Sequence, residues 1–337
     1  MARRYKAATM KDVAERAHVS VATVSRVINS DSSVSEANRN AVTAAIADVG
    51  YELKPSAPGK TELRVGLVIP DVTNPYFGVL MQGITNVARV HHVELVLCNA
   101  DWKAESEHYH LESLLERGVD GIIHIPFHET VDPIVSDLID DRFPVVFLDR
   151  EYPIQKSCSV TSNNEEGAYQ AVTYLLNLGH REIVFVSGSR HLSTSILRRE
   201  GFERGLAEFG VSHRPELLLY GDTTQESAYR EMLDLLEREG DRPSFTAVFA
   251  SNDQMAYGAW QALETKGWRV PEDISIIGYD DIPFSSFISL TTIAQPANEI
   301  GRNALILLMD LINGRCTPPQ RIVLRDSLII RRSCRRI

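Results

Sequence analysis

Polar and charged side chains follow several short apolar runs in the second part of the sequence, and together they suit a polyhydroxylated ligand. Each sugar hydroxyl needs a hydrogen-bond donor and an acceptor, which amides, carboxylates and a guanidinium provide, and sugar faces stack on aromatic rings. An Asp or Asn after a strand is also a common helix N-cap, and Asp253 and Asp281 have that simpler explanation. The candidates for ligand binding are Asn74, Tyr76, Phe77, Asp149, Arg198, Asn252 and Asp280.

The apolar runs before these side chains alternate with stretches long enough for helices, which predicts parallel, doubly wound α/β sheets. In such folds a ligand binds beyond the carboxyl ends of the strands, where the candidates stand. Eight strands in about 270 residues indicate two lobes rather than one sheet. The predicted strands are Val65–Ile69, Val93–Cys98, Gly121–Ile125, Val145–Leu148, Ile183–Val186, Leu217–Tyr220, Ala247–Ala250 and Ile274–Ile277.

The first 50 residues carry a different pattern, in which apolar residues recur at helical spacing over three short stretches. Thr9 and Asp12 form a capping box, Ser20 and Ser35 are N-caps of the second and third helices, and Gly50 ends the third. A turn of about three residues separates the first two helices, which is typical of a helix-turn-helix.

The second of these helices turns Ala22, Thr23, Ser25, Arg26 and Asn29 away from its own core. Small residues at its start let the helix enter a major groove, and Arg26 can donate two hydrogen bonds to guanine. The hydroxyls and the amide suit phosphate oxygens. The spacing therefore favours DNA binding, while a plain three-helix bundle with a polar outer face remains the alternative.

Charge and composition are consistent with a DNA-binding segment attached to a larger body. The first 30 residues hold six Lys and Arg against two acidic residues, and the remainder holds 29 against 43. No apolar stretch approaches the length of a membrane span, and no secretory signal follows the basic start. The four cysteines are scattered without a CxxC pair, which predicts reduced thiols in a cytoplasmic protein without a zinc site.

Two parts of the sequence closely resemble the lactose/galactose repressor (LacI/GalR) family. Met10–Ala14 and Val19–Asn29 are similar to its DNA-binding headpiece, and Val21-Ala22 is similar to the galactose-repressor type of reading helix. Phe147–Arg150, Ser251–Ala256 and Ile277–Asp281 are similar to its effector domain. The resemblance implies an α/β protein with an N-terminal three-helix headpiece and a two-lobed, doubly wound parallel-sheet domain like the periplasmic binding proteins. The corresponding domains are residues 1–51, a linker at 52–63, and residues 64–337.

Family resemblance also implies roles for individual residues. Val21, Ala22 and Arg26 would read bases, and the DNA backbone would be held by Ser20, Thr23, Ser25 and Asn29. Arg198 and Asp280 would hold effector hydroxyls, with Tyr76 or Phe77 lining the pocket and Asn252 and Asp149 in supporting positions. The sequence departs from the family at Thr223, where relatives often have an aromatic residue.

The linker departs further from the family pattern. It lacks the Ala-Arg-x-Leu run of the hinge helix that wedges a Leu into the minor groove, and Pro58-Gly59 disfavours a helix. We therefore assign no wedge residue and expect less operator bending than in relatives.

The sequence predicts a transcriptional regulator, in the repressor class, that binds a palindromic double-stranded operator as a homodimer. A small sugar-like effector in the cleft would modulate that binding. The alternatives are a purine or other non-sugar effector, a protein co-effector, or a solute-binding protein. No nucleotide-binding, metalloprotease or nucleophile-elbow motif is present, so neither an enzyme nor a cofactor is expected.

Overall fold

The computed structural model describes residues 8–28, 34–51, 63–240 and 242–337. Asn29 and residues 52–62 of the predicted linker therefore lie outside the described residues. The N-terminal part, called the headpiece here, contains helices α1 (Met10–Ala17), α2 (Val21–Ile28) and α3 (Glu36–Val49).

The predicted caps of the headpiece helices are confirmed. The Thr9 hydroxyl accepts from the Asp12 amide at 3.3 Å, and the Asp12 carboxylate accepts from the Thr9 amide at 2.7 Å. The hydroxyls of Ser20 and Ser35 accept from the amides of Thr23 and Asn38 and so cap α2 and α3. Gly50 ends α3 at φ +68°, a left-handed conformation that glycine adopts at little cost. A small apolar core of Met10, Val13, Ala14, Val24, Val42 and Ala45 holds the three helices together.

A first lobe, the N-lobe, contains a six-stranded parallel sheet with strand order β11-β5-β4-β3-β1-β2. Helices cover both faces of the sheet, which explains why its central strands are almost wholly apolar. Its elements are β1 (Arg64–Ile69), α4 (Pro75–His91), β2 (Glu94–Asn99), α5 (Ala104–Glu116), β3 (Gly121–His124), α6 (Pro133–Asp140), β4 (Val145–Leu148), β5 (Cys158–Ser162), α12 (Ala297–Ile312) and β11 (Arg321–Leu324).

The second lobe, the C-lobe, repeats this architecture with strand order β12-β10-β9-β8-β6-β7. All its strands are parallel except β12, which runs antiparallel to β10. Its elements are α7 (Asn164–Asn177), β6 (Ile183–Ser187), α8 (Ser193–Glu208), β7 (Leu218–Tyr220), α9 (Gln225–Glu239), β8 (Ala247–Ala250), α10 (Asp253–Thr265), β9 (Ser275–Asp280), α11 (Pro283–Phe287), β10 (Thr291–Ala294) and β12 (Ser327–Ile329).

The chain crosses between the lobes three times, after β5, β10 and β11. The two-lobed, doubly wound fold predicted from the sequence is confirmed, and all eight predicted strands are present. The apolar pattern does not show four further strands, β5, β10, β11 and β12, because they are short and mix polar with apolar residues. They flank the three crossings and thus join the lobes. In the part of the chain that the structure describes, every helix is too short or too polar to span a bilayer.

Close approach of α4 to α12 in the N-lobe requires a glycine. A Cβ built on Gly83 lies 2.0 Å from the backbone oxygen of Asn298, whereas a Cβ on Gly78 of the same helix meets open space. Gly83→Ala should lower the free energy of unfolding by about 2–3 kcal/mol through overpacking. Gly78→Ala, the matched control, should raise it by up to about 1 kcal/mol through helix propensity. Urea denaturation measures both, and equal stability of the two variants would contradict this packing.

Candidate functional site

The seven ligand-binding candidates come from five separate segments of the chain and converge on one narrow pocket between the lobes. The convergence follows from topology, because the carboxyl ends of the strands of both sheets point into the cleft. We call this space the polar pocket. Its lining consists of the seven candidates together with Arg150, Thr194, Ser195, Thr223, Ser251 and Gln295. Its cavity is about 20 Å³, room for little more than one water molecule.

Two of the candidates are helix caps as well as pocket residues. The Asn74 side-chain oxygen accepts from the Tyr76 amide at 3.0 Å and so begins α4. The Asn252 side-chain oxygen accepts from the Met255 amide at 2.7 Å, while its amide group donates to the Thr223 carbonyl at 2.9 Å. The capping explanation and the pocket explanation of these residues are therefore compatible.

On the N-lobe side, the pocket wall consists of two aromatic rings and a carboxylate. The Tyr76 hydroxyl donates to Asp149 Oδ1 at 2.7 Å, and burial raises the pKa of Tyr76 well above its ordinary value. Phe77 packs edge-on against Tyr76, with ring centroids 5.6 Å apart. Asp149 follows β4 directly at φ +66°, an uncommon conformation for a non-glycine residue that turns the chain at the cleft.

On the C-lobe side, a buried guanidinium is held by several acceptors. Arg198 Nε donates to Asn164 Oδ1 at 2.7 Å, and its Nη1 donates to the Ser251 carbonyl. Its Nη2 lies 3.5 Å from Asp280 Oδ1, and its guanidinium stacks on the Tyr279 ring at 3.7 Å. Burial raises the pKa of Asp280 to about 8, although the charge of Arg198 opposes that shift.

Hydrogen bonds between the side chains that line the polar pocket stay within each lobe. Among the described residues that line it, none from the N-lobe bonds to one from the C-lobe. The lobes also meet at apolar contacts, one of which joins Leu192 of the C-lobe to Ala100, Phe127 and Trp102 of the N-lobe. Ser162 of β5, which lies outside the lining, does bond across the lobes: its hydroxyl donates to Gln295 Oε1 at 2.7 Å, next to the chain crossings.

Asp253 and Asp281 lie outside the polar pocket, but the N-cap explanation is wrong for both, because Asn252 is the N-cap of α10 and Ile282 is that of α11. Asp253 is fully buried and accepts from the Ile282 amide at 3.0 Å and the Thr292 hydroxyl at 2.6 Å. Its burial raises its pKa to about 7. Asp281 forms an ion pair with Arg331 at 2.7 Å. Both residues connect separate segments of the C-lobe through these bonds.

Six lining residues of the pocket were not predicted as ligand contacts. Arg150 and Ser251 carried a usable signal, because each directly adjoins a candidate at a strand end. Gln295 follows β10, a strand that the apolar pattern did not reveal; its amide donates to Asp280 Oδ1 at 2.8 Å. Thr194 and Ser195 open α8, where sequence spacing gives no signal. Thr223, in the loop after β7, is the position at which the sequence departs from the family pattern.

The face of α2 that was predicted to read DNA is packed against the N-lobe. Ala22 is 1% exposed and belongs to the apolar cluster of α5 and α6. The Ser20 hydroxyl donates to Asp141, and the Thr23 hydroxyl donates to the same carboxylate oxygen at 3.2 Å. Val21 packs partly buried against the same cluster. In this arrangement the N-lobe covers the first turn of α2, so that turn cannot contact the major groove of DNA.

The remaining α2 candidates differ from one another. Ser25 was expected to face outward, but it is 1% exposed and its hydroxyl finds no partner among the described residues. It lies one helical turn after Ala22, on the face of α2 that the N-lobe covers. Arg26 is half-buried in the last turn of α2. Asn29 lies outside the described residues.

Comparison with known proteins matches both parts of the chain. The profile "Bacterial regulatory proteins, lacI family" covers residues 9–53, and the profile "Periplasmic binding protein-like domain" covers residues 172–334. The HTH-type transcriptional repressor PurR of Erwinia tasmaniensis is 36% identical over 335 residues, which are 97% of this chain and 96% of that protein.

Two solved structures of transcriptional regulators match nearly the whole length of this chain. The transcriptional regulator CelR in complex with cellobiose has a TM-score of 0.75 and 31% identity, covering 97% of this chain and 99% of that chain. The lac repressor dimer bound to operator and the anti-inducer ONPF has a TM-score of 0.71 and 29% identity, with the same coverage.

The raised pKa of Asp280 predicts a pH-dependent stability. Since the carboxyl is more easily protonated in the folded than in the unfolded chain, its contribution is full below about pH 4 and is lost as the pH rises through 8. The free energy of unfolding should fall between pH 5 and 9, and Asp280→Asn should flatten the upper part of that decline. The exposed Asp234→Asn serves as control. A decline in Asp280→Asn as steep as in the wild type would contradict the assignment.

Proposed function

Because the chain belongs to the LacI family of bacterial regulatory proteins, we propose that it is a repressor that binds a specific operator. Its operator affinity is set by a small effector in the polar pocket. The observation that carries this proposal is the joint presence of a helix-turn-helix headpiece and a pocket in which seven predicted side chains converge. No catalytic role is assigned to any residue, and a DNA-binding role implies a cytoplasmic protein.

Operator reading is assigned to α2. Val21 and Ala22 are small enough for the helix to enter a major groove, and Arg26 provides the forked donor that pairs with guanine. The hydroxyls of Ser20 and Thr23 suit the DNA backbone, with Asn29 in the same role. Because the N-lobe covers the first turn of α2, the headpiece must leave the lobe before it meets DNA. Phosphate oxygens would then replace the Asp141 carboxylate as the acceptor for both hydroxyls.

A sugar is the effector class that the polar pocket fits best. Arg198, Asn252 and Asp149 supply donors and acceptors on two opposing walls, and Tyr76 and Phe77 supply apolar ring surface. CelR, a structural relative, holds cellobiose. Thr223 provides no stacking surface, so ring stacking falls to the N-lobe aromatics. The alternative is a purine or another non-sugar effector, for which the same aromatic rings and Asp280 would serve.

A homodimer is the assembly that we propose. Phe284 and Phe287 are 53% and 81% exposed, and their stacked rings lie 5.4 Å apart on the C-lobe surface. Paired exposed aromatic rings are typical of an interaction surface. A two-fold dimer would present two headpieces to the two halves of a palindromic operator.

Selection from a random duplex library tests the DNA-binding part. Purified protein should enrich a palindromic sequence, and Arg26→Ala should bind the enriched duplex at least tenfold more weakly, as expected from the loss of a bidentate base contact. Arg16→Ala is the matched control, because Arg16 is an exposed headpiece arginine paired with Asp48 at 2.6 Å. It should weaken specific and random duplexes alike and only slightly. Failure to enrich any sequence, or unchanged selectivity in Arg26→Ala, would contradict the proposal.

A further inference from the structure

A carboxylate of the N-lobe occupies the N-terminus of α2, where a helix favours an anion. The hydroxyls of Ser20 and Thr23 lie 3.1 Å apart, and both donate to one carboxylate oxygen of Asp141, which stands at the end of α6. The dipole of α2 is positive at this end and adds to the attraction. Asp141 thus takes the position, and the two donors, that suit a phosphate of the DNA backbone.

The end of α6 holds more negative charge than a helix C-terminus favours. Asp137, Asp140 and Asp141 stand in or directly after its last turn, which contains no basic residue. Negative charge at this end opposes the dipole of α6. Burial, together with the charges of Asp141 and Asp140, raises the pKa of Asp137. The positive end of α2 offsets part of this repulsion when the headpiece lies against the N-lobe.

Helix α5 presents further carboxylates to the headpiece. Glu112 and Glu116 line one side of a space of about 510 Å³, and Lys11 of α1 lines the other side. His108 of α5 also lines this space, with its ring 3.5 Å from Glu112. Burial and the charge of Glu116 raise the pKa of Tyr51, which follows α3. Acidic side chains of α5 therefore face a lysine of the headpiece, as phosphates do in a DNA complex.

An apolar contact accompanies these charges. Ala22 is 1% exposed and lies in an apolar cluster of the N-lobe, and Val21 packs against the edge of that cluster. The cluster includes Leu111 and Leu115 of α5 and Leu138 of α6. The small side chain of Ala22, which suits close approach to a major groove, also allows close approach to the N-lobe. The first turn of α2 therefore has two possible partners, and it can contact only one of them at a time.

We propose that the N-lobe carries an internal mimic of DNA, which binds the headpiece and competes with the operator. The surface that does so, called the acidic face here, consists of Glu112, Glu116, Asp137 and Asp141. It imitates the phosphate backbone and no base, so it competes equally with operator and random DNA. Docking lowers the apparent affinity for DNA in proportion to the fraction of headpieces that are free. This inference rests on the proposed DNA-binding function and adds an internal competitor to it.

Affinities of full-length variants for the selected operator and for a random duplex test the competition. Asp141→Ala removes the acceptor of both α2 hydroxyls. Asp140→Ala is the matched control, because Asp140 carries the same charge on the same helix but is 77% exposed and lies 3.8 Å from Lys156. Asp141→Ala should bind both duplexes at least fivefold more tightly than Asp140→Ala, since the docked state loses two charge-assisted hydrogen bonds. Equal affinities of the two variants, or a gain for the operator alone, would overturn the inference.

Trapping of the docked headpiece by a disulfide provides a second test, and its first step needs no DNA. The double variants are Ser20→Cys/Asp141→Cys and Thr23→Cys/Asp141→Cys, with Ser20→Cys/Asp140→Cys as control. With oxidised glutathione, at least one of the first two should form an internal bridge and the control should not. The bridged protein should lose operator binding and regain it with dithiothreitol.

Absence of both bridges, or a bridged protein that binds the operator as well as its reduced form does, would contradict the docking. The bridge reports docking without DNA, whereas the operator selection reports DNA binding without reference to docking. Failure of this inference and failure of the proposed regulator role are therefore distinguishable.

Discussion

Burial of charge between two sheets is the constraint on which the rest of this structure depends. Asp149, Arg198 and Asp280 are each less than 10% exposed, and an isolated charge in such a place is costly. Each is compensated inside its own lobe, by Tyr76 on one side and by Asn164, Gln295 and the Arg198–Asp280 pair on the other. Compensation within lobes fixes these three side chains, and Ser162 of β5 links the lobes beside them through its hydrogen bond to Gln295. The surface that a ligand meets is thus preorganised on both walls before the cleft closes.

The division of the molecule into two lobes explains how a ligand in the cleft can affect α2 of the headpiece. The N-lobe carries one wall of the polar pocket on its inner side and the contact with α2 on its outer face, through Asp141 and the Ala22 cluster. Three chain crossings join the lobes, so closure moves the N-lobe as a unit with whatever is attached to it. A ligand can bias DNA binding in this way only if its affinity differs between the open and closed states.

Much of this organisation could be predicted from sequence because local chemistry decides it. The caps at Thr9, Ser20 and Ser35 and the apolar central strands depend on neighbours in the chain, and the polar residues after those strands were brought together by topology as expected. Burial of Ser25 and the docking of Ala22 could not be predicted, since they depend on packing between distant segments. The strands at the lobe crossings and Gln295 were missed for a related reason: their burial is set by the partner strand, not by their own composition.

Coupling between the polar pocket and the headpiece is tested most directly by measuring operator affinity with and without a bound ligand. The ligand is whichever sugar binds the wild type in calorimetry, and the operator is the duplex enriched in selection. We predict that saturating ligand changes the operator dissociation constant of the wild type at least about fivefold. Arg198→Ala should bind the operator like the ligand-free wild type and should not respond. A ligand that binds the wild type without changing operator affinity, or an Arg198→Ala protein that responds like the wild type, would contradict the account.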